Sequence, residues 1–289
     1  MAKRYYGGRR DGERIKAGQD LAGLFPFMFK RRCDSVVYFS QDIDMEPMLA
    51  YIEKRKSEGA DVSFFPLFIT ALVRVLFERE RMNRFIIGRR MYQRDYVDIS
   101  TVAKRHISDD GEESLIRLHF RKTDGFEDVV RKLRGEVKIA KSDTPLEEDK
   151  VFSFFTSLPR FVLRAVVAVL EWMDFYKGIP NDLASIDPMR ASAFVANMGS
   201  IGIDANYHHL FEWGTCSLFV NVGRICKKPV VLEDDTLAVR SMVQLCVTLD
   251  ERISDGFYSA RSFDLMRHYL THPEEIEGYA PEAAASEQA

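Results

Sequence analysis

Few stretches of this chain hold side chains whose types and spacing could carry a reaction. The run Asp250-Glu251-Arg252-Ile253-Ser254-Asp255-Gly256 ends a long apolar stretch with Glu251 and Asp255 four residues apart, followed by a glycine. A carboxylate accepts a hydrogen bond from a substrate hydroxyl or ammonium. At an ordinary pKa of about 4.3 a glutamate is a weak base at neutral pH, and desolvation raises it toward a useful range. The competing reading pairs Glu251 with Arg252 or another arginine and gives it no chemistry. Tyr207-His208-His209 offers two imidazoles, which titrate near neutrality. Neighbours on an extended segment point to opposite faces, so His208 and His209 do not bind one metal together, and packing beside Phe211 and Trp213 is the plainer account. Asn197 and Ser200 carry donors suited to a developing oxyanion, although an asparagine there also suits stitching a strand to a turn. His106, His119, His268 and His272 are isolated, and burial on a strand is the expectation for His119. No metal site is expected. A Gly-rich dinucleotide signature after a strand is absent, so no redox cofactor is implied.

The elements that must position these residues are legible. Val36-Val37-Tyr38-Phe39 reads as part of a strand over Ser35–Ile43. Asp44 caps a helix to about Ser57, and Ser63 caps a strongly apolar one with Pro66 in its first turn. A hairpin follows around Gly88–Arg90, then strands at Val97–Ala103 and Leu115–Phe120 joined by a turn at 108–113, then a charged amphipathic helix from Phe126 to Ala140. Leu158–Phe175 is the most apolar helix. Its charges Arg160, Arg164, Glu171 and Asp174 form one stripe, and burial against the body or a neighbouring subunit is expected, ahead of a membrane-surface or acyl-chain role. Strands at Ala191–Ala196, Cys216–Gly223, Val230–Leu232 and Leu237–Leu249 and a helix at Phe257–Leu270 complete the reading. Elements mix without regular βαβ alternation, which indicates α+β architecture: helices layered over a mixed sheet.

The chain has 289 residues, 46% hydrophobic and 29% charged, with a formal net charge of −3. That suits one large domain at 21–275, with an arm at 1–20 that is loose or docked and a disordered tail at 276–289. No basic excess marks a nucleic-acid binder. Arg31-Arg32, just ahead of the first strand, is one of several scattered basic pairs. Cys33, Cys216, Cys226 and Cys246 show no paired spacing and suit free thiols in a reducing compartment. The polar, basic N-terminus is unlike a secretory signal, and no apolar run spans a bilayer, so cytoplasmic localisation without membrane contact is expected.

Three motifs in register carry a family resemblance. Phe194-Val195-Ala196-Asn197-Met198-Gly199-Ser200-Ile201-Gly202 is similar to the F-T-I-S-N-L-G-x-x-G strand of the acyltransferase component of 2-oxo-acid dehydrogenase complexes. Val222-Gly223-Arg224-Ile225 is similar to its V-G-R-I. Residues 250–256 resemble its D-H-R-V-x-D-G, or the H-H-A-V-x-D-G of chloramphenicol acetyltransferases. The likeness covers roughly residues 20–275. It implies a chloramphenicol-acetyltransferase-like fold and a homotrimer with each active site between two subunits. CoA or acyl-CoA, a pantetheine thioester, is then the co-substrate. It also implies a histidine base at the position of Glu251 and a serine or threonine oxyanion donor at that of Ala196. Asp255 and Gly256 are retained, and the resemblance makes Asp255 a structural partner for an arginine, for which Arg31 and Arg32 are the candidates. A displaced base is offered by His208 or His209, whose loop approaches the family's active-site channel. Losing an oxyanion donor costs about 10²–10³ in rate, and losing a general base about 10²–10⁴. Two functions follow: acyl transfer with a substituted base, or a catalytically inactive trimer kept for ligand binding or assembly.

Overall fold

The computed structural model describes residues 9–16, 23–104, 113–140 and 147–278. All but the last residue of the expected turn at 108–113, most of the tail and much of the arm lie outside these residues. In chain order the elements are β1 (Glu13–Arg14), α1 (Phe25–Met28), β2 (Val36–Asp44), α2 (Glu46–Ser57), α3 (Phe64–Glu78), β3 (Arg84–Ile87) and β4 (Arg90–Gln93). Then come β5 (Val97–Lys104), β6 (Glu113–Phe120), α4 (Phe126–Ala140), α5 (Glu147–Ser157), α6 (Arg160–Tyr176) and α7 (Asn181–Ile186). The last are β7 (Ala193–Asn197), β8 (Leu218–Val222), β9 (Cys226–Val231), β10 (Leu237–Asp250), α8 (Gly256–Thr271) and α9 (Pro273–Glu277).

Among the described residues the main sheet has seven strands in the order β2-β10-β8-β7-β5-β6, with β9 paired to the far half of β10. The outer pairings are antiparallel, while β7 runs parallel to both β5 and β8. Its alternation sorts the side chains. Ile99, Val195, Val220, Leu245 and Val247 point to one face and form a continuous core with α3, α4 and α8. Ten buried residues of α3, from Pro66 to Leu76, fill that layer, which is why its only basic residue, Arg74, sits at the rim beside Glu78. A short sheet, β1-β4-β3, stands beside it.

One boundary needs correction, and two open alternatives are narrowed. β2 runs on to Asp44, and Asp44 steadies the start of α2 by accepting the Glu46 N–H (2.9 Å). Of the two states expected for the arm, its described part is in the docked one: the Arg9 guanidinium reaches Asp174 of α6 (2.7 Å). Asp174 is the single buried residue of α6, so of the two coverings expected for this helix, the body and a neighbouring subunit, the body supplies only a part. Asp174 leaves the charged stripe to meet Arg190 (2.6 Å), and a carboxylate flanked by two arginines tolerates burial where an apolar neighbour would not.

Candidate functional site

The second face of the sheet is polar and aromatic, and it carries the site motifs. Cross-strand neighbours share a face, so the registers give one row Ala196, Asn221, Cys246, Ser40 and the next row Phe194, Phe219, Thr248, Tyr38. The segment between Gly202 and Leu210 lies across the second row. Tyr207 meets Tyr38 edge-on (5.3 Å), His208 stacks flat on Phe219 (4.1 Å), and Phe211 leans on Phe194 (6.0 Å). Asn221 Nδ2 donates to the Asn206 carbonyl (2.6 Å) and ties the same segment to the row of Ala196. His208 is therefore held one row from the Ala196 position. Its Nδ1 lies 2.7 Å from the His209 carbonyl, and exposed His209 stacks on it (4.5 Å).

The glycines of two motifs explain each other. A Cβ on Gly199 would stand 2.7 Å from the Gly223 carbonyl, and one on Gly223 would stand 2.6 Å from the Ala205 amide. The turn after β7 thus rests directly on the backbone after β8. Gly202 closes it with a positive φ of 81°. Asn197 holds the turn, its Oδ1 accepting the Ser200 N–H (3.2 Å), while the Ser200 hydroxyl donates back to the Asn197 carbonyl (2.6 Å). Asn197 performs the stitching role, and Ala196 brings no hydroxyl to the face.

Glu251 begins the turn after β10, with its N–H donated to the Ser35 carbonyl (2.9 Å). Its half-buried carboxylate meets no hydrogen-bond or ion-pair partner among the described residues. The anticipated pairing with Arg252 does not form because Asp250 takes that guanidinium, at 2.8 Å to Nε and 2.7 Å to Nη2.

Asp250 is the charge on which the surroundings converge. It is fully buried, and it also accepts the Arg252 N–H (3.1 Å) and the Ser35 hydroxyl (3.1 Å). Arg32 lies 3.8 Å away and donates to the carbonyls of Gly214 (3.0 Å) and Phe211. Burial pulls the Arg32 guanidinium below its ordinary value, against the pull of Asp250. Arg252 Nη1 reaches back to the Phe29 carbonyl (2.9 Å). The expectation that Arg31 or Arg32 pairs with Asp255 is therefore corrected: Arg32 serves Asp250, and Arg31 is exposed. Asp255 caps α8 by accepting the Tyr258 N–H (2.8 Å) and meets Arg81 at the surface (3.3 Å), with Gly256 as the first residue of that helix. A carboxylate next to a helix N-terminus finds free amide donors at once, and a carboxylate ending a buried strand does not.

His119 also departs from expectation. It is half exposed, and its Nδ1 lies 2.7 Å from buried Asp98, whose other oxygen takes Arg117. Burial by itself would raise the Asp98 pKa. The hydrogen bonds from His119 and Arg117 and the Arg117 charge outweigh that and hold it below the usual carboxylate value. Alternation placed these three on one face, but isolated residues in a sequence gave no sign that they would meet.

The structure thus brings His208, Asn197 and Ala196 into one neighbourhood and leaves Glu251 outside it. Along β10, Glu251 is five residues beyond Cys246, the cross-strand neighbour of the Ala196 row, or roughly 16 Å at about 3.3 Å per residue.

Comparison with known proteins follows the same lines. Residues 178–277 match the model of the 2-oxoacid dehydrogenases acyltransferase (catalytic domain). The lipoamide acyltransferase component of the branched-chain alpha-keto acid dehydrogenase complex of Bacillus subtilis (strain 168) is 25% identical over 235 residues. That alignment covers 79% of this chain, which spans 45% of the length of that relative. Among solved structures, a probable dihydrolipoamide acetyltransferase from Listeria monocytogenes 4b F2365 superposes with a TM-score of 0.57 at 17% identity, covering 91% of this chain and 97% of the other. A chloramphenicol acetyltransferase superposes with a TM-score of 0.53 at 13% identity, covering 90% and 99%. The chain has a chloramphenicol-acetyltransferase-like α+β fold, and its motifs resemble those of the catalytic domain of 2-oxoacid dehydrogenase acyltransferases.

Proposed function

We propose that this chain is an acyltransferase-type domain that moves an acyl group from a CoA-type thioester to an unidentified acceptor, with Glu251 as the group that accepts the acceptor's proton. The carrying observation is the unengaged, half-shielded carboxylate at that position, kept clear of Arg252 by Asp250. A carboxylate with no partner of its own is free to accept a hydrogen bond from a substrate hydroxyl, the contact a glutamate base needs. The separation of roughly 16 Å between Glu251 and the Ala196 row is too great for both to touch one reacting centre in a single chain. That supports a homotrimer in which Glu251 of one copy faces the Ala196 row of the next.

The lost hydroxyl at Ala196 favours a second reading, a trimer that holds a pantetheine ligand without turnover. Calorimetric titration with CoA and acetyl-CoA, beside thiol release with a panel of alcohols and amines, separates the two. Acyl turnover lost in Glu251→Gln while CoA binding persists supports the first. Binding without turnover supports the second. Absence of binding refutes both.

A further inference from the structure

The helix α6 presents a surface with no partner among the described residues. Asp174, clamped by Arg9 and Arg190, fixes its rotation. Leu163, Val167 and Leu170 turn inward and line a cavity together with Phe155, Leu183 and Trp213. The exposed side includes Ala168, and at 100° per residue Phe161, Arg164, Ala165, Glu171, Trp172 and Phe175 all lie within about 60° of it. All are exposed, Phe161 by 77% and Trp172 by 64%. Neither Arg164 nor Glu171 forms an ion pair among the described residues. The helix precedes the residues matched to the family model, 178–277.

We infer that this face of α6 recognises the same face of a second copy, antiparallel, about a two-fold axis through Ala168. The arrangement of residues is self-complementary under that operation and poorly suited to another occupant. A two-fold axis between antiparallel helices brings residue 168 − n of one opposite residue 168 + n of the other and keeps each edge against its own kind. Arg164, four residues before Ala168, then meets Glu171, three residues after it, on the same edge with an offset of only about 1.5 Å along the axis. The pair forms twice. On the other edge the Trp172 indole lies over Ala165, while near the seam Phe161 meets Phe175 and the two Ala168 residues let the helices approach closely. The balance of Arg164 against Glu171 gives no net attraction to anionic lipid, and no described helix is long and apolar enough to cross a membrane.

This contact is independent of the proposed three-fold assembly and doubles whatever that produces. Sedimentation of the purified full chain should show an assembly whose mass falls about twofold in Arg164→Glu and in Glu171→Arg. It should recover in the double charge swap, with unchanged circular dichroism throughout. A halving to the monomer with rescue would refute the trimer and keep the α6 contact. A halving to a trimer would support both. Oxidised Ala168→Cys should give a cross-linked dimer beyond the wild-type background from Cys33 and Cys226, and Arg164→Glu should suppress it. The inference is overturned if the single reversals leave the mass unchanged, if the swap fails to restore it, or if neutral lipid vesicles capture a wild type that does not self-associate.

Discussion

Asp250→Asn should destabilise this protein far more than any change at Asp255, although Asp255 is the aspartate that the sequence motif brings forward. Asp250 is fully buried and compensates Arg252 at 2.7 Å and Arg32 at 3.8 Å. Asparagine preserves the shape but removes the charge, leaving two buried guanidinium groups uncompensated. Removing one partner of a buried ion pair costs about 3–5 kcal/mol. At roughly 2–4 °C per kcal/mol for a chain of this size class, the melting temperature should fall by about 6–20 °C. Asp255→Ala loses a helix cap worth about 1 kcal/mol and a surface ion pair worth at most about as much again. The assay is urea unfolding at one fixed protein concentration, followed by far-ultraviolet circular dichroism. Adding Arg252→Met to Asp250→Asn should return part of the loss, because the stranded charge leaves with it. A cost below about 1 kcal/mol for Asp250→Asn, or a larger cost for Asp255→Ala, would refute the assignment of Asp250 as the buried anchor.

Other outcomes follow from the same geometry. Asp98 is held below the ordinary carboxylate value, so its contribution to stability is present above about pH 4 and is lost as the pH falls through its lowered folded value. Urea midpoints between about pH 6 and pH 2 should therefore fall less steeply in Asp98→Asn than in the wild type, from a lower starting point; parallel curves would contradict this. Gly199→Ala forces a methyl group to within 2.7 Å of the Gly223 carbonyl, and a loss of about 1–3 kcal/mol is expected on thermal melting. Phe219→Ala removes the surface under His208, and hydrogen exchange of the amides at 203–211 should accelerate while those of α3 stay protected. Glu251→Gln should abolish acyl turnover without loss of stability, since its carboxylate anchors nothing among the described residues.

Elements driven by periodicity could be read before folding. Apolar alternation in β10 and the ten buried positions of α3 announced a sheet with a helix layer on one face, and the three motifs announced the fold. Contacts between charges far apart in sequence could not be read. Arg32 chooses Asp250 over Asp255 because of where a strand ends and a helix starts, a matter of a few ångströms that spacing does not encode. The run of residues 250–256 does contain a hint, since Asp250 and Arg252 flank Glu251 at a separation that lets them pair around it. What covers α6 could not be read either. Its composition is that of a buried helix, and only the packing of neighbouring elements decides whether anything covers it.

The pairing of β2 with β10 has a consequence for how the chain is made. Val36 bonds opposite Asp250 and Asp44 opposite Met242, so β2 leaves the ribosome long before its partner exists. At about 5–20 residues per second the intervening stretch of roughly 200 residues takes about 10–40 s to synthesise. Throughout that interval Val36-Val37-Tyr38-Phe39 is a strand-forming segment without a neighbour, open to association with other nascent chains. Asp42 and Asp44 at its far end supply the charge that discourages such association. Their later ion partners, Lys228 of β9 and Arg240 of β10, emerge only shortly before β10 claims the strand.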